Sequence, residues 1–354
     1  MSHSPLRIGL IGAGANMKAR HIPGLRVLPD VEIVAVCNRR PESTTAVAKE
    51  FGIPKTYEHW QDLVADAEID AVVIGAWPYL HCPVTLAALE AGKHVLSEAR
   101  MSLNAGEAHR MLAASRRYPD LVAQVVPSPY GLKGHDVMRD LIESGYLGDL
   151  REVYVYHFGG ALADPASLLS WRQDAALSGF NMLTLGILHE TLLRWVMPPL
   201  RVLAQVHAFI PTRIDPASGV RRPTGTPDSV QVLTTMEDGA RGVYQLSGVT
   251  AHGEGVGIRL YGSEGYLHYD LASDRIFGLT KNSRSGEPEE IPIPDDKART
   301  WQVEADFIEA IRSGKEIELT DFETGVAYME FTEAVARSAR RGEAVTLPLA
   351  DLAK

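Results

Sequence analysis

Between residues 6 and 96 the chain alternates short β-branched runs with stretches whose apolar residues recur at helical spacing. That alternation is the pattern of βαβ units on a parallel sheet. Strands are predicted at Leu6–Ile11, Val31–Cys37, residues 71–75 and His94–Ser97. A helix over residues 83–91 should stop at Gly92, a residue type that tolerates a left-handed C-cap, and a helix over 104–118 leads to a strand at 121–126. The texture then changes. A helix over 134–144 precedes long alternating segments at 151–158, 201–209, 229–236, 242–249, 255–262 and 265–271, with turns at Asp238-Gly239 and Ser263-Glu264-Gly265. Consecutive strands with short turns imply antiparallel pairing. Two helices, 300–313 and 321–341, close the pattern, and it contains no repeat or low-complexity segment.

At 354 residues the chain exceeds what one hydrophobic core usually organises, so two domains are expected, over 1–122 and 123–354. With 45% hydrophobic and 23% charged residues, disordered and fibrous classes are excluded. A formal net charge of -10 argues against a nucleic-acid surface, whose binding relies on Lys and Arg releasing counterions. Cys37 and Cys82 show no paired spacing, so a reducing compartment is expected. Residues 1–5 are too short and polar for a signal peptide, and no apolar run has the length of a membrane span; a cytoplasmic protein with no membrane partner is the expectation.

Chemistry enters directly after the first strand, at Gly12-Ala13-Gly14-Ala15-Asn16-Met17. Two of the three glycines of a G-x-G-x-x-G fingerprint stand in the required strand-to-helix context. Gly12 permits the tight turn, Gly14 lets backbone N–H groups approach a pyrophosphate, and Met17 replaces the glycine that serves helix packing. The fold class that follows is α/β: an N-terminal Rossmann domain, then an α+β domain with a large open, mainly antiparallel sheet. The second strand ends in Asn38-Arg39-Arg40. No carboxylate would repel a ribose 2′-phosphate there, and two guanidiniums could clamp it, which favours NADP(H) and keeps NAD(H) open. A solvated basic turn is the alternative reading of Arg39 and Arg40.

The opening Gly12-Ala13-Gly14 combines with Ala76-Trp77-Pro78-Tyr79-Leu80-His81, the segment Leu86 through Val95, Leu141-Ile142-Glu143-Ser144-Gly145, Trp171-Arg172 and Tyr261-Gly262-Ser263-Glu264-Gly265. Together these resemble the glucose-fructose oxidoreductase and inositol dehydrogenase family, Gfo/Idh/MocA, over nearly the whole chain. The resemblance implies a sugar or cyclitol substrate between a Rossmann domain and an open-sheet domain. It extends the cofactor surface to Ala15, Asn16, Met17, Trp77, Pro78, His81, Glu98 and Arg100 besides Gly12, Gly14, Asn38, Arg39 and Arg40.

The resemblance also marks losses. Where the family carries Glu-Lys-Pro, this chain has Glu98-Ala99-Arg100, and the guanidinium of Arg100 is too basic for general acid or base work near neutrality. Where the family's helix reads Asp-x-Gly-x-His-x-x-Asp, alignment on Gly186 and on Leu193-Arg194-Trp195 gives Thr184, Leu188 and Thr191. Hydride transfer needs a group that moves the hydroxyl proton. His189, Tyr79 and Lys133 are the candidates, with His81, His157 and His252 as further protonatable groups. His189 and Glu190 lie one residue past Leu188, rotated about 100° around a helix.

Trp171, Arg172, Thr184 and Leu188 are assigned to a polyhydroxylated or carboxylated substrate, Trp171-Arg172 being alternatively a packed loop anchor. Specificity is expected from the loops 127–135 and 161–181. No metal-ligand motif is present, since His189-Glu190 lacks the later histidine of a zinc helix. The leading reading is an NADP(H)-dependent oxidoreductase for a sugar, cyclitol or related hydroxy or keto compound. A cofactor-retaining lyase, hydrolase or epimerase, and a silent dinucleotide or sugar sensor, stand as alternatives. The uncovered sheet face suggests a homodimer or homotetramer.

Overall fold

The first apolar run forms β1 (Leu6–Ile11), with its last four residues buried. The computed structural model describes residues 5–180 and 182–352; Asn181, at the end of the second predicted specificity loop, lies outside them. A helical segment with a π turn at Met17–His21 continues into α1 (Ile22–Arg26). There follow β2 (Val31–Cys37), α2 (Pro41–Phe51), β3 (Lys55–Thr56), α3 (Trp60–Ala65) and β4 (Ala71–Ile74). Next come α4 (His81–Glu90), β5 (His94–Ser97), α5 (Ala105–Arg117) and β6 (Ala123–Val125).

Local chemistry sets these boundaries. Asn104 is the N-cap of α5, not its first residue: its Oδ1 accepts from Glu107 N at 2.9 Å, and Glu107 Oε2 accepts from Leu103 N at 3.1 Å. Such a cap stabilises a helix by about 1 kcal/mol. α4 begins two residues before the predicted start, because Pro83 sits in the first turn, where its missing N–H leaves no bond unmade. Gly92 takes φ +74, as its C-cap role requires.

The six strands pair in parallel in the order β3-β2-β1-β4-β5-β6. The order reverses between β1 and β4, so the carboxyl ends of those strands diverge and leave a crevice for a ligand.

After β6 come α6 (His135–Glu143), β7 (Leu150–Phe158), α7 (Ala175–Ser178), α8 (Leu185–Leu193) and β8 (Pro199–His207). A short hairpin of β9 (Thr212–Ile214) and β10 (Arg221–Pro223) precedes β11 (Ser229–Met236), β12 (Arg241–Ser247), β13 (Gly255–Gly262), β14 (Gly265–Asp270), β15 (Arg275–Thr280) and β16 (Glu289–Ile291). The last elements are α9 (Val303–Ser313), α10 (Phe322–Arg341) and β17 (Val345–Thr346). A nine-stranded sheet runs in the order β16-β15-β14-β13-β7-β12-β11-β8-β17. Its hairpins are antiparallel as expected, whereas β12 and β7 pair in parallel. The two are far apart in sequence, so no tight turn fixes their direction.

Strict alternation sorts this sheet into two faces. In β11, Val230, Val232, Thr234 and Met236 are buried while Gln231, Leu233 and Thr235 are exposed. On the outer face, cross-strand register aligns Leu203, Leu233, Val243, Tyr154, Arg259 and His268 in one row.

The chain divides into two compact units. The first contains the residues up to Pro127 together with Gln302–Met329; the second contains Ser128–Trp301 and the residues from Glu330 onward. The expected boundary at 122 is therefore displaced, and the first unit is discontinuous. β6 pairs with β5 beyond residue 122. The later segment returns to the first unit: Val125 N donates to Thr320 O at 3.1 Å and Met101 N to the Tyr328 hydroxyl at 2.5 Å.

Candidate active site

In the first unit, Gly12 N donates to Cys37 O at 2.9 Å, so the loop after β1 is tied to the end of β2. Gly12 has φ +83, and a Cβ there would lie 2.3 Å from Ala76 N. Only glycine fits. Gly14 is the opposite case: a Cβ built on it meets no atom within 4 Å, so its backbone borders open space that a phosphate can enter. Met17, at the position of the third glycine, is buried, and its Cε lies 2.8 Å from where Gly75 would carry a Cβ. The missing side chain at Gly75 accommodates Met17, which is a packing residue and not a cofactor contact.

Asn38 occupies the end of β2. Its Oδ1 accepts from Ala13 N at 2.6 Å, its Nδ2 donates to Ser43 Oγ at 2.9 Å, and its own N donates to Thr44 Oγ1 at 2.9 Å. The side chain thus braces the glycine loop. Arg39 and Arg40 are exposed, and the Arg39 guanidinium stacks over Trp77, 4.9 Å from the ring centroid. Gly14, Asn38, Arg39, Arg40, Trp77 and Tyr79 line a cavity of about 580 Å³, within the range of roughly 300–1,000 Å³ usual for ligand sites. The open glycine loop, the absence of a carboxylate at the end of β2 and the two guanidiniums fit a dinucleotide phosphate chain. Glu58, His59, Trp60 and Gln61 also line the cavity. Sequence reading missed them because the two-residue β3 before them gives no periodic signal.

Other predicted cofactor residues have different work. Ala15 and Asn16 are exposed, whereas Pro78 is buried. His81 is also buried, with Nδ1 2.9 Å from Arg100 O and Nε2 2.8 Å from Ala76 O; burial keeps its pKa below the ordinary histidine value despite these carbonyls. It ties the segments after β4 and β5 together and does not face the cavity. Arg100 is buried. Glu98 Oε1 accepts from Asn16 Nδ2 and lies 2.9 Å from His21 Nε2.

In the second unit, His189 is 1% exposed. Its Nδ1 lies 2.7 Å from the Tyr244 hydroxyl, its ring stacks on Phe331 at 3.6 Å, and burial lowers its pKa to about 3. This corrects its expected role: it is a packed core histidine that stays neutral. Leu188 is wholly buried, so its assignment to substrate is corrected too. Glu190 is buried in an ion pair with Arg194 at 2.8 Å and accepts from Ser128 N at 3.0 Å. Thr191 donates to Ser128 Oγ at 2.9 Å.

Thr184 is the N-cap of α8, preceded by Leu183 at φ +52, a conformation that leucine rarely adopts. Its Oγ1 lies 2.6 Å from Nδ1 of His157, a half-buried residue on β7 whose pKa burial lowers. Lys133 and His252 are exposed. At Trp171-Arg172 the Arg172 guanidinium lies 4.3 Å over the Trp171 ring, and Arg172 O accepts from Ser178 Oγ at 3.1 Å and Thr226 Oγ1 at 3.3 Å. The backbone is anchored while the Arg172 side chain is exposed. Among the described residues no cluster of three or more His, Cys, Asp or Glu could hold a metal, and no helix is long and apolar enough to cross a membrane.

Two family profiles match in succession: residues 6–125 as an oxidoreductase family NAD-binding Rossmann fold, and residues 135–268 as a GFO/IDH/MocA C-terminal domain. The chain belongs to the GFO/IDH/MocA oxidoreductase family. Among curated members, it is 30% identical to a dTDP-3,4-didehydro-2,6-dideoxy-alpha-D-glucose 3-reductase of Streptomyces violaceoruber, covering 87% of this chain and 85% of that one. It is 27% identical to a 1,5-anhydro-D-fructose reductase of Ensifer adhaerens over 96% and 98%. A levoglucosan dehydrogenase solved in complex with NADH and L-sorbose has the same fold, with a TM-score of 0.84 and 22% identity over 98% of this chain and 100% of that chain. The N-terminal part of this family member, residues 6–125, is therefore an NAD-binding Rossmann fold.

Proposed function

We propose that the chain is an NADP(H)-dependent oxidoreductase acting on a sugar, cyclitol or related hydroxy or keto compound. The observation that carries the cofactor choice is the end of β2, where the amide of Asn38 is turned to the glycine loop and Arg39 and Arg40 line the cavity. A 2′-phosphate there meets two cations and no acid from the end of β2, Glu58 being the one acidic residue that lines the cavity. The curated relatives named as reductases of a deoxysugar nucleotide and an anhydro sugar support the substrate class.

When bound, the dinucleotide supplies the hydride acceptor or donor. The chain must move the hydroxyl proton. His157 is our choice: its Nδ1 lies 2.6 Å from Oγ1 of Thr184, the residue aligned with the family's first helix carboxylate, and burial lowers its pKa, which favours the uncharged imidazole. Tyr79 on the cavity wall and the exposed Lys133 are the other two candidates. Trp171 and Arg172 supply a ring face and a planar donor group to a polyhydroxylated or carboxylated ligand.

Titrating the purified chain with NADPH and NADH, then screening sugars, cyclitols and sugar nucleotides by nicotinamide absorbance, tests the proposal. Expected are at least about tenfold tighter NADPH binding and turnover of one substrate class. Equal or tighter NADH binding overturns the cofactor choice, and binding without any absorbance change overturns the oxidoreductase. Under turnover, His157→Gln should lower kcat about 100-fold or more with dinucleotide affinity retained. Ala99 at the lysine position favours a second reading, a cofactor-retaining lyase, hydrolase or epimerase, which product formation with substoichiometric cofactor would reveal.

A further inference from the structure

Two strands flank β1 in the parallel sheet, β2 on one side and β4 on the other. Neighbouring strands lie roughly 4.8 Å apart, so the segments that follow β2 and β4 stand about 10 Å from each other, with the glycine loop between them. Arg39 follows β2 by two residues and Trp77 follows β4 by three. Their side chains meet across that gap. The guanidinium lies 4.9 Å from the Trp77 ring centroid, inside the roughly 6 Å reach of a cation–π contact. Both residues line the cavity with Gly12, Gly14 and Arg40.

The two partners differ in freedom. Trp77 precedes Pro78, which confines its backbone to the extended region, and it has φ -77 and ψ 155. Trp77 O accepts from Leu80 N at 3.0 Å, and the preceding Ala76 O lies 2.8 Å from His81 Nε2. The indole is thus half-buried on a pinned backbone, whereas Arg39 is exposed, and among the described residues no carboxylate pairs with it. An exposed arginine loses rotamer freedom when it takes a ligand. One laid flat on a fixed ring has lost much of that freedom beforehand, and its in-plane N–H donors still point outward from the edge of the stack. Arg40, the N-cap of α2, lines the same cavity but stacks on no ring among the described residues.

We infer that Trp77 is a positioning residue for nucleotide choice: it holds the Arg39 guanidinium flat on the indole with its N–H edge available to a 2′-phosphate, and the stack persists when NADP(H) is bound. Trp77 acts through Arg39, so it strengthens the binding of a nucleotide that carries the 2′-phosphate and not of one with a 2′-hydroxyl. The inference rests on the reading of the end of β2 as an NADP(H) site. An indole that stacked on the adenine instead would serve both nucleotides alike.

Calorimetric titration of the full chain with NADPH and with NADH tests it, since the two differ only in the 2′-phosphate. Trp77→Ala should weaken NADPH by about three- to tenfold, the cost of fixing one long side chain on binding, and leave NADH within about 1.5-fold of the parent. Trp77→Phe keeps a ring face and should restore NADPH affinity to within about twofold. In an Arg39→Ala background, Trp77→Ala should have no further effect on NADPH, so a double-mutant cycle exposes the coupling of the pair. Should Trp77→Ala fail to fold, the unaltered chain still decides: the Arg39 side-chain resonances should carry the ring-current shift of a stacked guanidinium and keep it with NADPH bound. Equal losses for both nucleotides, an unchanged NADPH affinity, or collapse of that shift on binding overturns the inference while the NADP(H) reading stands. If the parent chain binds NADPH no more tightly than NADH, that reading falls and the inference with it.

Discussion

The Nδ1 of His189 on α8 lies 2.7 Å from the hydroxyl of Tyr244 on β12, and the stacked ring of Phe331 on α10 completes a three-residue aromatic knot. His189→Ala should therefore cost about 2–4 kcal/mol of stability, through lost packing and a stranded hydroxyl, with NADPH affinity unchanged within twofold. Denaturant unfolding and nucleotide titration separate the two. The folded pKa of about 3 lies below the ordinary 6.5, so below about pH 6.5 the unfolded chain takes up a proton that the native one refuses. This contribution is fully present above pH 6.5 and declines as pH falls toward 3, by about 1.4 kcal/mol per unit. His189→Phe should flatten that acid limb.

Gly12 and Gly14 should fail differently. At Gly12 a Cβ collides with the Ala76 backbone, so Gly12→Ala should lower the melting temperature of the free chain. At Gly14 the Cβ enters open space, so Gly14→Ala should leave the free chain's melting temperature within a degree or two, at small ΔΔG, and weaken nucleotide binding by tenfold or more, an order-of-magnitude expectation. Thermal unfolding with and without NADPH reads both effects.

Arg39 stacks on Trp77 without an ion pair among the described contacts. Arg39→Ala should weaken NADPH binding by about 10- to 100-fold, the worth of a charge-assisted bond, and NADH binding by less than threefold. The NADPH effect should shrink at high salt. Equal losses for the two nucleotides would assign Arg39 to adenine stacking.

Leu203 and Leu233 are 42% and 55% exposed in one row of the nine-stranded sheet, with Tyr261 on the same face at 40%. A face of this kind predicts self-association into a homodimer or homotetramer. Light scattering coupled to size exclusion should show Leu233→Lys shifting the population to smaller species, with nucleotide binding per chain retained.

Local signals carried much of the fold. The glycine loop, the ends of β2 and the alternation of β11 were legible because each depends on neighbours within a few residues. Hairpin polarity was legible for the same reason, whereas the parallel pairing of β7 with β12 was not, since no turn joins them. Met17 looked like a defect in a fingerprint until Gly75, distant in sequence, was seen to make room for it. His189 and Leu188 had the right residue spacing for a site, but spacing does not reveal that Phe331 and Tyr244 enclose the imidazole. His157 and Thr184 meet through a leucine in a left-handed conformation, which composition does not announce. Glu58 through Gln61 stayed hidden behind a strand of two residues.

The discontinuity of the first unit also orders its birth. The strands up to β6 leave the ribosome roughly 170 residues, on the order of 10 s, before Gln302–Met329. Throughout that interval His21 lacks Glu304, Val125 N lacks Thr320 O and Met101 N lacks the Tyr328 hydroxyl. The nascent parallel sheet must wait, with sticky surface uncovered, until the whole second sheet has been translated. Chaperone capture, and aggregation of fragments truncated near residue 127, belong to that wait.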